Sequence, residues 1–185
     1  MSRSIHADGT ATATVGRVLL YAVVSAVLFV VGLLPAESVG ELGVDVDLKP
    51  FVLPYLVIAT ARFDERTLAA SAGAAVGEGT LDLLEGFELD DPFGFVGYLV
   101  GFLVFGWVLQ EVAPDADDRR WQVAACVCGA LAQAVFEGTA FYLLSGATVT
   151  EAAISVAGNT VTHGLLLGAI PFLMLAPVVR GRFGE

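Results

Sequence analysis

Positive charge is scarce in this chain. Nine Lys and Arg stand against twenty Asp and Glu among 185 residues, a formal net charge of −11. No basic stripe runs along any segment, which disfavours nucleic-acid binding. Cysteine is nearly absent: Cys126 and Cys128 form a C-x-C inside an apolar segment. On a helix, positions i and i+2 point to nearly opposite sides, so the pair is expected to be two buried small apolar residues, neither a disulfide nor a metal clip. The two histidines, His6 and His163, give no zinc-ligand spacing. The chain has no G-x-S-x-G, no H-E-x-x-H and no G-x-x-x-x-G-K-[ST]. It is therefore expected to be no enzyme, to carry no metal or cofactor, and to supply no ATPase of its own. Nor is there the alternating ten-residue pattern of a membrane β-barrel.

What the chain does have is apolar length. It is 56% hydrophobic and only 16% charged, where a soluble domain carries about 25% charged residues. Mean hydropathy is +0.77. The apolar residues come in blocks, which points to an all-α integral membrane protein. Six spans are expected: Val18–Leu34, Pro50–Ala61, Thr67–Leu84, Pro92–Val112, Trp121–Leu144 and Val149–Val179. The first is read as a retained span and not a signal peptide, because its apolar run is too long and Leu33-Leu34-Pro35-Ala36 is a poor cleavage site. The second is too short to cross about 30 Å of hydrocarbon upright, so it must be extended or shielded in the bundle. Residues 1–14 are expected to be a loose cytoplasmic tail, 15–180 the six-helix domain, and 181–185 a second cytoplasmic tail.

The few basic residues set the orientation. Arg3, Arg17, Arg62, Arg66, Arg119, Arg120, Arg180 and Arg182 all fall in connections on one side of a six-span layout. Only Lys49 falls on the other. Lys and Arg are retained in the cytoplasm during insertion, so both termini are expected inside and the protein in the plasma membrane as a multi-pass chain. The acidic connections suggest a high-salt habitat, where charge is screened over a few ångströms.

Inside the spans, polar residues come as i, i+4 pairs, which share a helix face. They are Glu78 and Asp82, Gln133 and Glu137, and Asn159 and His163. The expected topology places all six at similar depth near the outer face, with Tyr98 and Tyr142 alongside. Ionisable groups inside a span are expensive and usually face a cavity or a partner. A ligand pocket open to the outside is the favoured reading. In it Glu78 and Glu137 would accept hydrogen bonds from a cationic or amine-bearing ligand. Gln133 and Asn159 would orient it, and the tyrosines would supply ring contact. His163 would be able to change charge near neutral pH. Interhelical glue in a structural membrane subunit, and a proton or ion path in a small carrier or channel, remain as alternatives. Small residues recur four apart at Ala22 and Ala26, at Ala69, Gly73 and Gly77, at Gly97 and Gly101, and at Gly164 and Gly168. Such spacing lets helices approach closely, within the bundle or against a partner.

Three stretches carry a family resemblance: Ala69-Ala-Ser-Ala-Gly-Ala-Ala-Val-Gly-Glu-Gly-Thr-Leu-Asp82, Pro92-Phe-Gly-Phe-Val-Gly-Tyr-Leu-Val-Gly-Phe-Leu103, and Gly158-Asn-Thr-Val-Thr-His-Gly164. With the short second span, they make residues 16–180 resemble the substrate-binding (S) component of an energy-coupling factor vitamin transporter. That resemblance implies six helices and capture of a vitamin-like, water-soluble ligand from outside. Its implied partners are a transmembrane coupling subunit and two cytoplasmic ATPases, which use the ATP. It further implies that Ala22 and Ala26 dock the coupling subunit, and that the loop Pro35–Lys49 and the loop after the third span cover the ligand.

Overall fold

The computed structural model describes residues 4–37 and 48–183. Every regular element among them is helical. Helix α1 is Ser4–Glu37, α2 Val52–Ala59, α3 Glu65–Glu85 and α4 Asp91–Trp107, the last continuing as a π-helical turn over Val108–Val112. Helix α5 is Arg119–Leu144. Helix α6, Val149–Asn159, runs through a π-helical stretch, Thr160–Ala169, directly into α7, Ile170–Phe183. Four of these rods are long and apolar enough to cross a membrane: Thr14–Leu33, Asp91–Val112, Arg119–Leu144 and Val149–Val179. The chain is thus an all-helical protein with membrane-span candidates. At 21 residues α3 has the length, but Glu65, Arg66, Glu78, Asp82 and Glu85 dilute its hydrophobicity.

Helix α1 begins at Ser4, within the stretch expected to be loose to Thr14. Extending a helix that is already nucleated costs little, and Ala7, Ala11 and Ala13 favour it. At the other end α7 reaches Phe183, past the expected tail boundary at residue 180. Most of the loop Pro35–Lys49 lies outside the described residues; Leu48–Pro50 enter from it.

Helices α1 and α3 pack together, as do α3 and α4, α4 and α5, and α5 with the α6–α7 rod. The short α2 sits among them, touching α1, α3, α4, the π-helical stretch and α7. Eight residues rise only about 12 Å. A helix that ends inside the bundle must satisfy its last carbonyls there. Gln110 Nε2 donates to Ile58 O at 2.8 Å, and Tyr21 Oη donates to Thr60 O at 3.3 Å. Around α2 lies an aromatic core of Phe29, Phe51, Tyr55, Tyr98, Phe102, Phe105 and Phe172, all buried. Tyr55 stacks on Phe105 with centroids 3.9 Å apart, and its hydroxyl donates to Cys126 O at 3.0 Å.

The small-residue stripes mate within the chain. A Cβ on Gly73 would strike the backbone carbonyl of Ala22, and one on Gly77 would meet Ala26 O at 2.9 Å. Ala22 and Ala26, expected to dock a partner, meet α3 here: two small-residue stripes let these helices approach to backbone contact. Gly101 and Gly129 do the same between α4 and α5, where a Cβ on either would lie within 2.8 Å of the other's carbonyl oxygen. Of the two cysteines, Cys126 is buried but Cys128 is exposed. The i, i+2 spacing that separates them turns the second outward.

Asp64 caps α3, accepting from Arg66 N at 2.8 Å and pairing with the Arg66 guanidinium at 2.6 Å. The side-chain hydrogen bond from Arg66 holds the carboxyl below its usual range. The Asp64→Ala variant is expected to lose about 1 kcal/mol of stability near neutral pH in thermal melts. A depressed folded-state pKa makes this contribution present above the unfolded value of about 3.9 and lost as pH falls through the folded value. The difference from wild type should shrink in acid accordingly.

Candidate functional site

The ends of four elements converge at one end of the bundle: the entry to α2, the last turns of α3 and α5, and the first turn of α4. Between them lies a cleft of about 350 Å³, lined by Lys49, Glu78, Asp82, Asp90, Asp91, Gly94, Tyr98, Glu137, Ala140, Phe141 and Ser145. Arg62, Arg66, Arg119 and Arg120 stand at the opposite end, beside the C-terminus of α2 and the N-termini of α3 and α5.

A chain of polar contacts crosses the cleft. Lys49 Nζ lies 2.5 Å from Glu78 Oε1. The same ammonium lies 5.0 Å from the centroid of the Tyr98 ring, within cation–π range. Tyr98 Oη donates to Glu137 Oε1 at 2.9 Å. Helix periodicity places these groups: Glu78 and Asp82 share one face of α3, and Gly94 and Tyr98 one face of α4. Gly94 leaves the mouth open, since a Cβ there would touch only Tyr98 Cε2, at 3.9 Å. Glu78 is 4% exposed and Tyr98 1%. The ionic contacts therefore sit largely out of water, where charge interactions strengthen and an uncompensated charge is costly. Among the described residues five carboxylates and one ammonium line the cleft, so their field favours cations.

Of the residues expected from the sequence, Glu78, Asp82, Tyr98 and Glu137 come together here. Gln133, Asn159 and His163 do not line the cleft but are buried in the bundle at 0%, 1% and 0% exposure. Gln133 sits one turn below Glu137 on α5, and neither amide atom has a hydrogen-bond partner among the described residues. Asn159 Nδ2 donates to Ser155 Oγ at 3.5 Å, a long contact. His163 lies in the π-helical stretch with its ring stacked on Phe51, centroids 4.6 Å apart. Tyr142 is 46% exposed and faces away from the cleft. Five residues past Glu137, it is turned about 140° around the helix axis, and Phe141 and Ser145 take the place expected for it.

Sequence reasoning left Asp90, Asp91, Gly94 and Phe141 out of the site. Their signal was position: Asp90 and Asp91 open α4, so they lie beside the end of α3 once the two helices pair. Lys49 was legible only as the lone base on its side. Phe51 carried no cue beyond being aromatic next to Pro50.

No group of three His, Cys, Asp or Glu side chains is placed to hold a metal ion among the described residues. No protein-family model, curated protein or solved structure matches the chain.

Proposed function

We propose that this chain captures a small, water-soluble, cationic or amine-bearing nutrient from outside the cell, as the substrate-binding subunit of an energy-coupling factor importer. In this reading it spans the plasma membrane six times with both termini in the cytoplasm. Helix α2, shielded by its neighbours, counts as one traverse, and α3 crosses with its carboxylates turned to the cleft. The observation that carries the reading is the cleft itself: a roomy, acidic, tyrosine-walled cavity at the end of the bundle opposite the arginines. The positive-inside tendency puts that end outside. Glu78, Asp82 and Glu137 attract the ligand, and Tyr98 gives it a ring face. Gln133 lies one turn deeper as an unspent donor and acceptor. A coupling subunit and two ATPases would drive release inward, as the sequence resemblance implies.

Glue between helices is the weaker reading, because glue requires bonds. Gln133 is fully buried and makes none among the described residues, whereas a residue kept to hold helices together would have its amide paired.

The test is ligand identification. The full-length protein, purified in mild detergent from its native membrane, is denatured and the released small molecules are measured by mass spectrometry. One cationic or amine-bearing compound, near one per chain, is expected from wild type and should be absent from the Glu137→Gln variant. Equal traces from both proteins would refute capture at this cleft.

A further inference from the structure

We propose that the Lys49 ammonium holds the place of the ligand's own cation in the cleft, so that binding is an exchange of one ammonium for another. This rests on the proposed capture role and narrows it to a substrate class, small organic cations. An ammonium already sits in the cavity, 2.5 Å from a Glu78 oxygen and 5.0 Å from the centre of the Tyr98 ring. Those are the two partners a free organic cation needs: a desolvated carboxylate for charge and an aromatic face for the alkyl groups around it. The Tyr98 hydroxyl, by donating to Glu137, adds electron density to that face. Lys49 is also the base best suited to leave. Its charge is compact and strongly hydrated, carried on a flexible four-carbon stem. Its side chain is 18% exposed while its partner Glu78 is only 6% exposed, so water reaches the lysine before the carboxylate. When a ligand cation enters, Glu78 keeps a counter-charge throughout and Lys49 withdraws toward solvent. An anionic ligand would gain one lysine and face five carboxylates.

The alternative is that Lys49 clasps an anionic group on the ligand. The two ideas give opposite signs when the lysine is removed. The experiment uses the full chain in detergent micelles. Tetramethylammonium chloride is titrated calorimetrically against sodium chloride of equal ionic strength, with tert-butanol as the neutral control. Lys49→Met should bind tetramethylammonium at least about 10-fold more tightly than wild type, equivalent to about 1.4 kcal/mol. Lys49→Arg should bind no more tightly than wild type. Lys49→Gln, which keeps a donor for Glu78 without the charge, should tighten binding as Lys49→Met does and stands in for it if the methionine variant melts early. Unchanged or weaker binding in the uncharged variants, or equal binding of tert-butanol, overturns the exchange. If a co-purified ligand is present but is lost from Lys49→Met, capture stands and exchange fails. If the uncharged variants bind tetramethylammonium tightly while wild type releases no ligand, exchange stands and the transport reading fails.

Discussion

The Gly94→Trp variant is expected to bind the captured ligand at least about 100-fold more weakly than wild type while melting at nearly the same temperature. About 100-fold corresponds to about 2.7 kcal/mol, a loss within reach of one residue when that residue fills the site. Gly94 lies in the first turns of α4 with its missing side chain directed at the cleft mouth, and only Tyr98 stands within 4 Å of where a Cβ would go. An indole there occupies the cavity without displacing backbone, and replacing a helical glycine removes about 1 kcal/mol of propensity cost. Gly94→Ala separates blockage from backbone effects: it should leave affinity within about 3-fold, a change of under 1 kcal/mol. If the tryptophan variant binds normally by equilibrium dialysis, the ligand site is elsewhere.

The Gly73→Leu variant is expected to lose most of its folded yield, with destabilisation at or above the top of the ~1–3 kcal/mol range for overpacked sites. The new side chain would strike the Ala22 carbonyl, which belongs to the backbone and cannot rotate away. Ala22→Leu and Ala26→Leu press on the same seam from the other helix. These variants should lose ligand binding and any partner association together, because both depend on α1 staying against α3. Gly16→Leu is the control, since nothing lies within 4 Å of its position, and it should melt at or slightly above the wild-type temperature. Loss of partner association with ligand binding intact in Ala22→Leu would instead support a docking role for that stripe.

The helices were legible because apolar blocks and their breaks are written in composition. Pro92, Gly146 and the Asp-rich run before Arg119 fall where rods start or stop. Even the shielding of α2 follows from its length, since so short a helix cannot stand alone in hydrocarbon. The site was partly legible for the same periodic reason: i, i+4 spacing put Glu78 with Asp82, and a charged group within an apolar run needs somewhere wet or paired to go. What pattern alone could not resolve was rotation about each helix axis. Tyr142 has the right depth but the wrong face. Ala22 and Ala26 have the spacing of a docking stripe, and it is Gly73 and Gly77 that meet them inside the chain. Asn159 and His163, expected at the cleft, lie in the bundle interior. The π-helical stretch around His163 widens the helix and changes which way its side chains face. Gly164, Gly168 and Pro171 mark that region, since Pro171 has no N–H to continue the ordinary ladder, but they do not specify the result. Lys49 in contact with Glu78 is a pairing across 29 residues that no local pattern encodes.

The most direct test of the account is the accessibility of the cleft in intact cells. Asp90 lines it, is exposed, and makes no capping bond of its own. An Asp90→Cys variant in a Cys128→Ser background is treated with a membrane-impermeant maleimide applied from outside. Rapid labelling of intact cells is expected, slowed by the ligand recovered from the purified protein. Labelling that requires the membrane to be opened first, or that ligand does not slow, would contradict it.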